Sequence, residues 1–208
     1  MKILKGSLML LPLASSLSTP SQAQITYLPQ VEWTLASGGN GHRYQAVRVE
    51  QGISWTSARD LAVSAGGQLA SIHSDAENQV IWAIMKGDAS LWSSGGYQGC
   101  WLGGYQPAGS SEPGGGWSWA SGEAWTFAAW GGGEPNNAAG YEHYLNLMDF
   151  RGGYGNSGSI GWNDMEQAGG LWGPMRSFII EYPIPSPAGG LLAIAALGAC
   201  TLARRRSA

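Results

Sequence analysis

Glu134-Pro135-Asn136-Asn137-Ala138-Ala139-Gly140-Tyr141-Glu142, followed further along by Trp162-Asn163-Asp164, is the stretch from which the fold of this chain is read. Five side chains in it carry oxygen donors: the carboxylates Glu134, Glu142 and Asp164 and the amides Asn136 and Asn163. A hard divalent cation takes about six to eight oxygens and mixes carboxylates, amide carbonyls and water. Three carboxylates and two amides around one Ca²⁺ leave the assembly close to neutral. Ca²⁺ is therefore the expected cofactor, with Glu134, Asn136, Glu142, Asn163 and Asp164 as its ligands.

Outward from this stretch the chain changes texture. Glycine, tryptophan and asparagine dominate from about Trp92 to Trp172, with short strand-like pieces at Cys100-Trp101-Leu102-Gly103, Trp117-Ser118-Trp119, Tyr144-Leu145-Asn146-Leu147 and Ser177 to Tyr182. A long loop-rich stretch is functional or disordered, and one so rich in tryptophan, without charge runs, is not disordered. The first half alternates strand and helix. Tyr44 to Val49 alternates apolar and polar residues as a strand does. Ser54 caps a helix through Trp55, Ala58, Leu61, Ala62 and Ala65 that Gly66-Gly67 ends. Gln68 to Ile72 returns to strand. Ser74-Asp75-Ala76-Glu77 is a capping box, opening a helix with Ala76, Val80, Ile81 and Ile84 on one side and an end near Gly87. Two early helices and irregular later loops give an α+β domain.

The order of these pieces resembles the C-type lectin-like domain. Trp101-Leu102-Gly103-Gly104 is similar to that family's Trp-Ile-Gly-Leu segment, and Trp117-Ser118-Trp119, Ser121-Gly122 and Trp130 to its tryptophan series. Glu134-Pro135-Asn136 and Trp162-Asn163-Asp164 resemble its two calcium motifs, Phe178 to Glu181 its closing strand, and Ser54 to Glu77 its first helix, Gly-rich turn and second helix start. The resemblance spans residues 42 to 182. It implies two helices, small antiparallel sheets and a long calcium-binding loop, a cis peptide before Pro135, and Glu142 as the further acidic ligand that the family places eight residues after Glu134. It implies too that Glu134, Asn136, Glu142 and Asn163 meet a glycan with vicinal equatorial hydroxyls, of mannose type. Trp101, Trp117, Trp119, Trp130 and Trp162 fall at the family's packing positions.

Three departures accompany the resemblance. The family's two disulfides are missing: Tyr144 stands at a loop-cysteine position, and Cys100 is the domain's single cysteine. Calcium then becomes the agent expected to order the loop. His143 and Asn137 replace the acids of an auxiliary calcium site. A further calcium between Glu77 and Glu181 occurs in some members, but the capping box already accounts for Glu77.

Both ends read as addresses. Lys2 and Lys5, the apolar run Leu8 to Ala14 and Ser21-Gln22-Ala23 form a secretory signal over residues 1–23. Residues 24–41 are an N-terminal extension, 42–183 the domain, and 184–208 a sorting or anchor segment. In the last, Pro185-Ser186-Pro187, an apolar run to Ala203 and Arg204-Arg205-Arg206 resemble the bacterial PEP-CTERM sorting signal, with Ser186 where that signal has Glu. The chain is thus expected to be exported to the cell surface or beyond, touching membrane only through this tail. A matrix polysaccharide or protein is a further class of partner for such a chain, and the rival reading is an interaction protein that keeps the fold without binding sugar.

All 14 acidic residues but only 6 of the 11 basic ones lie between the two end segments, a net charge near −8. Nucleic acid needs clustered Lys and Arg and is not a partner. No enzyme activity is expected: His42, His73 and His143 have no metal spacing or nucleophile, and calcium-bound carboxylates are poor proton donors for glycoside cleavage. Gly153-Tyr154-Gly155-Asn156-Ser157-Gly158 matches a dinucleotide pattern literally, without the strand and helix that pattern needs.

Overall fold

Alternation along one long strand organises the domain. In β3 (Arg43–Ile53), Tyr44 and Ala46 face one core while Val47 and Val49 face another, because successive residues of a strand project to opposite faces. β9 (Met175–Tyr182) pairs antiparallel with it, from Arg43↔Tyr182 to Arg48↔Ser177, and is divided likewise, Ile179 to the first core and Phe178 and Ile180 to the second.

The computed structural model describes residues 24–170 and 173–184. The expected leader and, beyond Ile184, the expected tail lie outside them. No helix among the described residues is long and apolar enough to cross a membrane. The other elements, in chain order, are β1 (Ile25–Tyr27), β2 (Val31–Glu32), α1 (Trp55–Ser64), β4 (Gln68–Leu69), α2 (Asp75–Met85), β5 (Gln98–Tyr105), β6 (Ser118–Trp119), β7 (Tyr144–Asp149) and β8 (Ile160–Met165). The class is α+β, as expected. The strands connect as one mixed sheet, β1-β3-β9-β5-β7-β8, with β2 on β3, β4 on β9 and β6 on β5. The β5–β9 pair is parallel.

Both helix starts form as the sequence indicates. Ser54 Oγ accepts from Ser57 N at 3.2 Å, and Ser74 Oγ from Glu77 N at 3.1 Å. The capping box closes differently, since Glu77 reaches past Ser74 to His73 N at 2.7 Å. The buried face of α2 is also turned: Glu77, Asn78, Ile81 and Met85 go inward, while Ala76 is exposed and Val80 and Ile84 are half-buried. Polar residues can occupy that face because each has a partner. The Glu77 carboxylate accepts from Tyr44 Oη and Asn40 Nδ2, and Asn78 Oδ1 from Trp162 Nε1 at 2.9 Å. The strand expected over Gln68 to Ile72 shortens to two residues, after which Ala70 N still reaches Ile179 O.

Cys100 is buried and unpaired, so packing holds the loop-rich half. Tyr144, at the loop-cysteine position, stacks on Trp55 of α1 with ring centroids 4.9 Å apart. Trp119, Trp125, Phe127 and Trp130 surround Trp162 at 5.6–5.9 Å, mostly edge to face, the geometry aromatic quadrupoles favour. The Trp162 backbone joins the same cluster to the loop, taking Gly131 N on its carbonyl at 2.9 Å and donating to Ala129 O at 2.8 Å. Trp162→Phe keeps most of the ring but strands Asn78 Oδ1 in the interior, which costs about 1–3 kcal/mol. A urea midpoint lower by the equivalent of that range is the expected outcome, and an unchanged midpoint would contradict the clamp.

Candidate metal centre

The loop between β6 and β7 passes over the middle of β8. Glu134-Pro135 is a cis peptide, a state essentially confined to proline, and Glu134 N is fixed to Gly131 O at 3.1 Å. Asn137 and Ala139 take positive φ, 46° and 57°, where Asn is favoured among non-glycine residues.

Asp164, fully buried on β8, holds the turn from below. Its two oxygens accept Asn136 N at 3.0 Å and Asn137 N at 2.7 Å. Glu142 Oε2 accepts Ala138 N at 2.9 Å, and Asn137 Oδ1 accepts Glu142 N at 3.1 Å. The loop is thus braced by the protein's own hydrogen bonds. The reason is that a buried carboxylate facing successive backbone N–H groups satisfies both partners.

Glu134, Asn136, Glu142 and Asp164 are brought together. Burial first, then a hydrogen bond that the protonated carboxyl donates to Asp164 and the charges of Asp164 and Glu142, push Glu134 up to about 7, with Asn136 beside it pulling the other way. Glu142 is likewise pushed up to about 7, by burial and then by the charges of Asp164 and Glu166, against the Ala138 N–H that lowers it. Asn163 is different. Next to Asp164 on a strand, it faces the other side of the sheet, where its Nδ2 donates to Asn146 Oδ1 at 3.1 Å and to Asp164 O. Asn146 in turn donates to Gln98 Oε1 at 2.7 Å, completing a buried amide row across three strands.

A cation fits this donor set. Glu134 Oε2 is buried without a hydrogen-bond partner, and each Asp164 oxygen keeps a lone pair beyond the one its N–H uses. Burial first, and the neighbouring negative charge after it, keep both carboxyls protonated to about 7. Among the described residues, no group of three or more His, Cys, Asp and Glu side chains is placed to hold a metal ion. Glu77 and Glu181 form no comparable opening. They are 2% and 1% exposed, and Glu181 is taken up by His42 Nδ1 at 2.6 Å, Ser71 N at 2.9 Å and Gln68 Nε2 at 3.3 Å. Sequence reasoning missed Glu166 and the bracing role of Asn137. A single Asn before Ala-Ala-Gly carries a signal for positive φ, while the reach of Glu166 to Glu142 has none.

No protein-family model matches the chain. Ladderlectin of Oncorhynchus mykiss is 32% identical over 117 residues, which are 56% of this chain and 53% of that protein. The chain thus spans about half the length of the curated relative it matches. Among solved structures, the C-type lectin CEL-I from Cucumaria echinata superposes with a TM-score of 0.52 at 22% identity, over 69% of this chain and 90% of that one. The cow C-type carbohydrate-recognition domain of CD23, solved in the presence of a GlcNAc2Man3 oligosaccharide, gives 0.50 at 21% identity, over 69% and 89%. Human lithostathine gives 0.50 at 19%, over 68% and 92%.

The raised carboxyls have a consequence for stability in chelator. Folded, Glu134 and Glu142 keep their protons to about pH 7; unfolded, only to the ordinary value of 4.5. Between these limits the folded chain binds more protons, so the contribution of this pair to stability falls as pH rises. Thermal melting in chelator is expected to show a shallower fall across that window for Glu134→Gln than for the parent chain; an equal or steeper fall would contradict the carboxylate cluster. With the comparisons beside this geometry, the described domain has the C-type lectin-like fold.

Proposed function

We propose that the domain is an exported, calcium-dependent carbohydrate-binding module. The observation that supports this reading is Glu134 Oε2, buried and unpartnered beside Asp164, with Glu142 close enough to feel the same charge. Glu134, Asn136, Glu142 and Asp164 would hold the ion, while Asn163 stays in the amide row on Asn146. Bound there, calcium supplies open positions for two vicinal hydroxyl oxygens of a sugar. The chain's own groups orient the sugar. The exposed Asn136 amide donates to one hydroxyl, and the Glu134 and Glu142 oxygens accept from its neighbours. The Glu-Pro-Asn order supports a mannose-type ligand, as it does for the family this chain resembles. Tyr141, 66% exposed, stands at the rim of the same loop. The tail resembling a sorting signal supports display outside the cytoplasmic membrane, with a glycan or matrix polysaccharide as partner and no catalysis.

The test uses the full-length chain in a detergent without sugar. Calcium is expected to raise the melting temperature, and mannose to raise it further only when calcium is present. Asp164→Asn removes a buried charge from the ion and is expected to weaken calcium at least ~10-fold, in line with charged hydrogen-bonding contacts of about 1.5–3 kcal/mol. Stabilisation by calcium with no response to any neutral glycan would favour an interaction protein that keeps the fold without sugar. No response to calcium would end the proposal.

A further inference from the structure

The far end of the sheet carries a second hollow that owes nothing to the carboxylate loop. β7 starts beside that loop at Tyr144 and ends at Asp149, a span of roughly 17 Å at ~3.4 Å per residue. Asp149 is fully buried and spends its carboxylate on its own Gly-rich loop, accepting Arg151 N at 3.2 Å, Gly155 N at 3.1 Å, Ser157 N at 3.3 Å and the Ser157 hydroxyl. The loop so held, the one matching the dinucleotide pattern, presents Tyr154. Its backbone meets the turn at Ser93–Tyr97, Tyr154 N donating to Gly96 O at 3.3 Å. Any Cβ at Gly96 would sit 2.9 Å from Tyr154 N.

Between these two turns and the start of β9 lies a cavity of about 340 Å³, lined by Trp92, Ser93, Tyr154, Pro174 and Arg176 among others. Three observations mark it as a binding place. Arg176 is exposed on a rigid strand and makes no ion pair or hydrogen bond among the described residues, although the domain is strongly acidic. Ser93 Oγ is buried there without a hydrogen-bond partner. Finally, backbone strain concentrates at functional sites. Of the four non-glycine residues with positive φ among those described, Asn137 and Ala139 lie in the carboxylate loop, and the other two, Ser94 at 51° and Tyr154 at 57°, line this cavity.

We propose that this cavity is a second carbohydrate subsite, independent of calcium, that takes an acidic sugar of the hexuronate class. The planar fork of Arg176 matches a carboxylate bidentately. The Tyr154 ring, 37% exposed, offers an apolar face to the sugar ring, and Trp92, whose Nε1 is tied to Met85 O at 2.9 Å, floors the site. A neighbouring cavity of about 380 Å³ shares Ser94 and is walled by Tyr97, Met148 and Phe150; it extends the site for the next residue of a chain. The volume is in the range of small-ligand pockets, about 300–1,000 Å³.

The test titrates the full-length chain, in sugar-free detergent and excess chelator, with a short oligogalacturonate and with its neutral galactose counterpart. Chelator silences the carboxylate loop and prevents uronates from binding through calcium. The acidic oligomer is expected to bind and the neutral one to bind at least ~10-fold more weakly, the worth of one charge-assisted pair. Arg176→Gln is expected to abolish that preference without shifting the melting temperature, Arg176→Lys to restore part of it, and Glu134→Gln to leave it unchanged. Equal binding of the two oligomers, no binding of either, or an Arg176→Gln variant with full preference would overturn the proposal. None of these results bears on the calcium-dependent site, which fails or stands on its own titration.

Discussion

The Trp162 side chain is where the two halves of this domain are joined. Its indole lies fully buried within a ring of aromatics from the irregular loops, its Nε1 donates to Asn78 on α2, and its backbone carries both Ala129 and Gly131. One residue therefore connects helix, sheet and loop in a domain whose single described cysteine has no partner. Aromatic faces stacked edge to face resist sliding because each ring meets its neighbour at a preferred angle. The Trp55–Tyr144 contact does the same for the end of β7 nearest the carboxylate loop. Packing here occupies the places where cross-links are expected from the resemblance.

The next two residues along β8 divide the consequences. Asp164 faces the loop and braces it through two backbone N–H groups, while Asn163 faces away into the amide row with Asn146 and Gln98. Asp164 thereby braces the loop, and Glu134 and Glu142 lie half-buried beside it. Burial is the larger reason, and the nearby charge of Asp164 a further one, that both carboxyls hold their protons up to about 7.

How much of this was legible in the sequence depends on the range of the interaction. Ser54 and Ser74 marked the helix starts because capping is local, and Glu134, Asn136, Glu142 and Asp164 announced themselves by residue type and order. The turned face of α2 was not legible: periodicity assigns Ala76 inward, and only the distant partners Tyr44 and Trp162 make Glu77 and Asn78 the better residues to bury. β8 itself escaped notice, since Ile160-Gly161-Trp162-Asn163-Asp164-Met165 alternates poorly and is ordered by pairing with β7. The inward turn of Asn163 escaped for the same reason, because it depends on which residue of β7 stands opposite. Arg176 and Tyr154 come together from segments whose local pattern says nothing of each other.

The central claim is that the carboxylate cluster is a cation site, and proton release on calcium binding tests it most directly. Calorimetric titration of the full-length chain with Ca²⁺ at pH 7, repeated in buffers of different ionisation enthalpy, counts the protons displaced. With Glu134 and Glu142 each near half-protonated before binding, the account expects one calcium bound and about one proton released in total. Calcium binding without proton release, or no binding at all, would contradict it.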